Sequence, residues 1–111
     1  MLYVEADGII RLTRGDSAKI MVTIENDIIG ENYEIAEDDT LTLTVKKNVK
    51  DTEALVQKII VGSNTFYIRP EDTAALSFGK YKYDVQLKTA EGDVYTVIVP
   101  TTFELLQEVT W

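Results

Sequence analysis

The sequence lacks histidine and cysteine altogether, and it has only two prolines and one tryptophan among 111 residues. Without histidine and cysteine there is no Ser-His-Asp or Cys-His nucleophile, no imidazole or thiolate zinc site and no disulfide. Catalysis would have to rely on carboxylates, lysine, tyrosine, serine or threonine, and no acid–base pair can be identified from their spacing. We therefore predict a protein that is not an enzyme and that holds no cofactor.

The chain also lacks an excess of positive charge and any long apolar run. Its 19 acidic and 11 basic residues give a net charge of −8 and a pI of about 4.4, which repels phosphate backbones and anionic membrane surfaces. Residues 1–7 have no basic region followed by an apolar one, as a signal peptide would have. We predict a single domain over residues 1–111. We expect it to be made in a bacterial cytoplasm, without a signal peptide, and to bind neither nucleic acid nor membrane.

What the sequence does contain is repeated alternation of apolar and polar residues with a period of two, which is typical of β-strands. The alternation is clean in residues 18–24, 41–46 and 80–88, and shorter apolar runs lie at 10–12, 55–61, 65–68, 94–99 and 103–109. Seven or eight short strands of this kind predict an antiparallel sandwich or barrel.

Turn-forming residues separate these runs. Gly62-Ser63-Asn64 predicts a hairpin that joins residues 55–61 to residues 65–68. Pro100 predicts the end of the strand over residues 94–99. Residues 70–76 are the one helical candidate, because Pro70 stands at a helix-start position and acidic residues fill the first turn. We expect a short helical connector that crosses between sheets.

Acidic residues are densest in one segment. Seven of the 19 acids fall between residues 25 and 39: Glu25, Asp27, Glu31, Glu34, Glu37, Asp38 and Asp39. Clustered carboxylates are the ligands of calcium, but their spacing fits no Asp-x-Asp-x-Asp-Gly loop, and a solvated acidic loop is the alternative. We predict that a partner-interaction surface is formed by Glu31, Glu34, Glu37, Asp38 and Asp39.

Three aromatic residues are candidates for contact with a partner. Tyr67 and Tyr95 lie on strand faces opposite to their apolar neighbours, and Trp111 is the aromatic residue that we expect to be most available to another chain. The one concentration of basic residues is Lys46-Lys47-Asn48-Val49-Lys50, at a strand end. A solvated hairpin tip is the favoured interpretation of this cluster, over a phosphate site.

The spacing Gly79-x-Tyr81-x-Tyr83 is similar to the tyrosine corner of immunoglobulin domains. In those domains a tyrosine lies two residues before a core position and ties strand F to the preceding corner. The segment Pro70–Ala74 stands upstream, where that corner would be, although no cysteine pair accompanies it. The similarity implies a cysteine-free, Ig-like antiparallel β-sandwich in which Gly79, Tyr81 and Tyr83 are structural.

A wider pattern joins Gly79-x-Tyr81-x-Tyr83-Asp84-Val85 to a hairpin at Gly92-Asp93 and to Phe103 followed by Glu108-Val109-Thr110. Over residues 66–110 this pattern resembles β-sandwich domains of structural proteins from bacteriophages and prophages of Gram-positive bacteria, such as the N-terminal domain of the baseplate upper protein. The resemblance implies a non-enzymatic component of a virion or tail. Such a component would assemble with other tail subunits or with itself, and after its synthesis it would be incorporated into the virion or tail particle.

An alternative function belongs to a different class of protein. The acidic segment, together with Tyr67 and Tyr95, would also suit a carbohydrate- or calcium-binding β-sandwich module of a surface protein. The two interpretations differ in what they bind, and the sequence leaves both open.

Overall fold

A computed structural model of the chain describes residues 2–5, 8–26 and 31–107. In chain order the described elements are β1 (Leu2–Glu5), β2 (Ile10–Thr13), β3 (Ala18–Met21), β4 (Glu25–Asn26), β5 (Glu31–Asn32), β6 (Thr40–Lys46), β7 (Val56–Val61), β8 (Thr65–Ile68), α1 (Pro70–Thr73), β9 (Gly79–Lys88) and β10 (Val94–Leu106).

Two sheets form a sandwich. One has the strand order β1-β3-β8 and the other has the order β2-β10-β9-β6-β7, while β4 and β5 make a separate two-stranded pair. The order β10-β9-β6-β7 is that of strands G, F, C and C′ of immunoglobulin variable domains, and β3 beside β8 is that of strands B and E. The structure confirms the predicted all-β sandwich with one short helical turn.

Most strand pairs are antiparallel, but β1 pairs with β3 and β2 pairs with β10 in parallel. These two parallel pairs were not predicted, because alternation along one strand carries no information about the direction of its neighbour.

The core lies between the inner faces of the two sheets. In β6 the residues Leu41, Leu43 and Val45 are fully buried, and the threonines between them are partly exposed. In β9 the buried residues follow the same rule and are Tyr81, Tyr83, Val85 and Leu87. The three-stranded sheet closes the core from the other side with Ala18, Ile20, Phe66 and Ile68. The period-two pattern of the sequence therefore predicted the buried faces.

The predicted hairpin at residues 62–64 is wrong. β7 pairs with β6, whereas β8 pairs with β3 in the other sheet. Each end of the turn is held by its own sheet, because the Gly62 amide donates to the Asp39 carbonyl (2.9 Å) and the Val22 amide donates to the Asn64 carbonyl (2.8 Å). Gly62 has a φ of +68°, and a Cβ there would lie 2.9 Å from a backbone carbonyl oxygen. The segment is a glycine-dependent crossover between sheets.

The predicted strand end at Pro100 is also wrong, because β10 continues through the proline to Leu106. The pairing of β10 with β9 shifts register between Thr96 and Ile98 and again between Ile98 and Thr101. On its other side β10 pairs with β2 only from Phe103 onward. Pro100 therefore stands at an irregular position on an open edge, where none of the described strands requires its missing amide hydrogen.

The helical connector lies where the sequence placed it, but it is shorter. α1 links β8 in one sheet to β9 in the other, with Pro70 in its first turn. The Asp72 carboxylate accepts the Arg69 amide (2.7 Å), and the buried Thr73 hydroxyl accepts the Gly15 amide (2.9 Å). The first bond caps the start of α1, and the second holds the connector against the turn that follows β2.

Two tyrosines of β9 are buried with their hydroxyl groups bonded to backbone. Tyr81 donates to the Ser77 carbonyl, four residues upstream, at 2.6 Å, which is the contact that defines a tyrosine corner. Tyr83 donates to the Gly8 carbonyl and packs edge-on against Phe103, with 6.2 Å between ring centroids. Both rings fill the core without leaving a polar atom unpaired.

Replacing Tyr81 by phenylalanine removes the corner hydrogen bond and keeps the ring. We expect Tyr81→Phe to lower the free energy of unfolding by about 1 kcal/mol, measured by urea denaturation. Tyr67→Phe is the matched control, because Tyr67 is about half exposed and loss of its hydroxyl should change stability little. If both variants unfold at the wild-type urea concentration, the corner bond contributes nothing to stability.

Candidate functional site

The acidic residues of the predicted interaction surface differ in their position in the structure. Glu34, Glu37 and Asp38 are exposed in the segment that leads into β6, and Glu31 belongs to the short strand β5. Trp111 lies outside the described residues. The acidic segment therefore offers at least three solvated carboxylates next to the first residue of β6.

Asp39 differs from its acidic neighbours, because only 2% of its surface is exposed. Its carboxylate accepts the Tyr33 hydroxyl at 2.5 Å and the Ala36 amide at 2.9 Å. These two bonds, with a smaller contribution from the Ala90 amide, hold the pKa of Asp39 below its usual value, although burial acts in the opposite direction. Asp39 is a structural residue that holds Tyr33 and Ala36 in the acidic segment, and because it is buried its inclusion in the interaction surface is corrected.

Tyr33 donates the hydrogen bond to Asp39, and the same bond changes the pKa of the Tyr33 phenol. Its hydrogen bond to the Asp39 carboxylate is the main cause that raises the pKa of the Tyr33 phenol, followed by burial. The negative charges of Asp39 and Glu91 raise it further. The β9–β10 turn lies beside the acidic segment, because Lys88 at the end of β9 pairs with Thr40 at the start of β6.

Tyr67 and Tyr95 do not form one site. Tyr67 is on β8 in the three-stranded sheet, with the Lys19 ammonium 5.4 Å from its ring centroid. Tyr95 is on β10 in the five-stranded sheet. Both rings are about half exposed, but they belong to different sheets, so they cannot sandwich one ligand.

The outer face of the five-stranded sheet carries an open groove with a volume of about 290 Å³. Its floor is made by outward-facing residues of β6, β7 and β9, and its wall is the β6–β7 loop. The residues that line it include Thr44, Lys46, Val49, Gln57, Lys82 and Asp84. This volume is at the small end for ligand sites and suits one or two side chains of a partner.

Lysine side chains dominate the charge of this groove. Lys46 of β6 is directly opposite Lys82 of β9 in the register, and Asp84 is the next outward-facing residue of β9. Like charges opposite each other destabilise a sheet. Burial raises the pKa of the Asp84 carboxyl, and the positive charge of Lys46 offsets only part of that effect. With Lys46 and Lys82 beside the single carboxyl of Asp84, the groove has a net positive charge.

The five-stranded sheet that carries the groove ends in an unpaired strand. β7 is the edge of its sheet among the described strands. Ile59 and Val61 are each 62% exposed and point outward beside Thr42 and Thr40 of β6. An exposed apolar edge strand is a template for pairing with another chain.

Comparisons with known proteins give no assignment. No protein-family description matches the sequence, and no curated protein is significantly similar to it. Within the described residues there is no group of three or more acidic residues that could hold a metal ion. The same part of the chain has no helix that is long and apolar enough to cross a membrane.

The sequence indicates only part of the groove. The basic run at residues 46–50 predicts a solvated hairpin tip, and Lys82 falls on the polar face of an alternating strand. Lys46 and Lys82 are 36 positions apart, and only the β6–β9 register brings them together. The usable signal was the run Lys80-x-Lys82-x-Asp84 on a single face of one strand.

The bonds of Asp39 predict a specific dependence of stability on pH. Because the folded-state pKa lies below the usual 3.8, the carboxylate's contribution is complete above that value and is lost as the pH falls through the lowered pKa. We expect Asp39→Asn to unfold about 2 kcal/mol more easily at neutral pH, and the difference from wild type to shrink in acid. The measurement is urea denaturation at a series of pH values.

The exposed neighbour provides the control for this prediction. Asp38→Asn should leave stability nearly unchanged at every pH, because Asp38 makes no such bonds. A difference between wild type and Asp39→Asn that stays constant from neutral to acidic pH would contradict the assigned role of the carboxylate.

Proposed function

We propose that the chain is a non-enzymatic structural domain that builds a larger assembly through protein–protein contacts. The observation that carries the proposal is the open edge of the five-stranded sheet at β7, which we propose is covered by a second copy of the chain. Ile59 and Val61 expose most of their surface there, and exposed apolar side chains gain free energy when they are covered.

The backbone of β7 supports the same proposal. In an antiparallel ladder, hydrogen-bonded and non-hydrogen-bonded residues alternate. The Gly62 amide bonds to Asp39 of the β6 side, and this alternation then turns the backbone groups away from β6 at Val61, Ile59 and Gln57. A strand from another chain could pair with these groups and extend the sheet.

The outward face of the edge strand carries no charged residue. Natural edge strands often carry a lysine whose charge deters neighbours. The one charged residue of β7 is Lys58, and its ammonium lies 2.7 Å from the Asp72 carboxylate of α1. This ion pair turns the charge toward the protein's own connector and leaves the apolar outer face of β7 free of charge.

The biological setting follows from the resemblance over residues 66–110. We propose a virion or tail component of a phage or prophage, in which repeated subunits cover such edges. Genes for head and tail proteins are expected to flank the gene of this chain. A gene that lies far from any such cluster would count against a virion role.

The alternative, a carbohydrate- or calcium-binding module, has less support. Tyr67 and Tyr95 lie on different sheets, and the Asp39 carboxylate is engaged by Tyr33 and Ala36. A rise in melting temperature with calcium, or a signal on a glycan array, would favour this alternative.

A single substitution tests the role of the edge. We expect the wild-type chain to self-associate with rising concentration in sedimentation velocity. Ile59→Lys should weaken this association about tenfold, because it places a solvated charge on the apolar edge. Ile9→Lys is the matched control, since Ile9 is also about half exposed but lies before β2.

The decisive comparison is between these two isoleucine variants. Equal loss of association in both would mean that the β7 edge has no special role. A wild-type chain that sediments as a monomer at every concentration would contradict the proposal itself.

A further inference from the structure

We propose that the lysine groove on the outer face binds exposed carboxylates of a second copy of this chain, supplied by its acidic segment. The contact would be head to tail. This inference rests on the proposed assembly function and specifies which surfaces meet, in addition to the β7 edge. It uses the groove at Lys46 and Lys82 as one side and Glu34, Glu37 and Asp38 as the other.

The groove carries more positive than negative charge, because Lys46 and Lys82 outnumber Asp84, the one acidic residue that lines it. Within the described residues neither Lys46 nor Lys82 forms an ion pair, although they face each other across adjacent strands. Thr44 and Gln57 stand beside them on the floor and are linked by a hydrogen bond of 3.2 Å. Ammonium groups flanked by polar side chains are suited to a carboxylate, which accepts several hydrogen bonds at once.

The acidic side is a coherent end of the molecule. Glu34, Glu37 and Asp38 are exposed, and Glu91 and Asp93 are exposed in the neighbouring β9–β10 turn. The buried Asp39 holds the segment in place through its bonds to Tyr33 and Ala36. Lys88 is the basic residue beside this end, through its pairing with Thr40. This end of the molecule is therefore negatively charged, and the bonds of Asp39 fix the position of its acidic segment.

One copy cannot satisfy both surfaces by itself. The acidic segment precedes Thr40, the first residue of β6, whereas the groove lies at Lys46, the last residue. Six steps along a strand separate these points by about 20 Å. The carboxylates of one copy can therefore reach only the groove of another copy.

The contact would use two different surfaces, which has a consequence for its symmetry. A contact between unlike patches is heterologous, so it generates rings when the rotation closes and open filaments when it does not. Both outcomes are repeating assemblies, as the proposed structural function requires.

Charge reversal with rescue tests this contact, in the Ile59→Lys background where the contribution of the β7 edge is weakened. Lys82→Glu changes the groove, Asp38→Lys changes the acidic segment, and Lys19→Glu is a charge control on the other sheet. We expect each of the first two variants to self-associate about tenfold more weakly than the background in sedimentation velocity. The control should associate like the background.

A mixture of the two variants gives the sharpest result. An equimolar mixture of Lys82→Glu and Asp38→Lys should regain the association of the background, because each altered surface meets a complementary one on the other chain. If the mixture associates no better than either variant alone, or if Lys19→Glu weakens association equally, the head-to-tail contact is wrong.

The outcomes also separate this inference from the function on which it rests. If Ile59→Lys weakens association but the charge variants do not, the assembly function stands and the groove contact fails. If the wild-type chain never associates, both fail.

Discussion

The strict alternation of β9 is the constraint on which the rest of the structure depends. β9 lies between β6 and β10, so both of its edges are fixed by hydrogen bonds, and its inner face supplies Tyr83 and Val85 to the core. A slip by one residue would place Lys82 and Asp84 in the core. The burial of tyrosine and valine therefore fixes, on the opposite face, the positions of the charged residues that line the groove. Core and candidate site are two sides of one strand.

The sandwich achieves its cohesion without the disulfide that links the two sheets of antibody domains. Tyr83 and Phe103 fill the core of the five-stranded sheet, and the Tyr83 hydroxyl reaches the Gly8 carbonyl ahead of β2. Tyr81 secures the start of β9 to Ser77. Both hydroxyl bonds lie at strands of the five-stranded sheet, so the two sheets are held together by the apolar core that the tyrosine rings help to fill. The absence of cysteine is thus compatible with a fixed relation between β2, β9 and β10.

The alternation of apolar and polar residues predicted the local structure, but it did not predict which strands lie beside each other. The buried faces of β3, β6 and β9, the short helical connector and the all-β class follow from residue spacing, because a strand's two faces are encoded locally. The crossover at Gly62 and the passage of β10 through Pro100 were missed, because each depends on which strand lies alongside. The groove was missed for the same reason, since Lys46 and Lys82 meet only through strand register. Asp39 was misplaced because nothing in a run of acids indicates which one finds Tyr33 as a partner.

Net charge limits the kind of assembly that this surface chemistry can form. Every added copy brings a net charge of −8, so long-range repulsion grows with the size of the assembly. The proposed groove contact is short-range and pairs carboxylates with ammonium groups inside a concave site, where solvent screens them less than on an open surface. A closed ring satisfies every groove with the smallest number of copies, whereas an open filament accumulates repulsion and leaves unpaired surfaces at both ends. The balance of these terms favours a small closed ring.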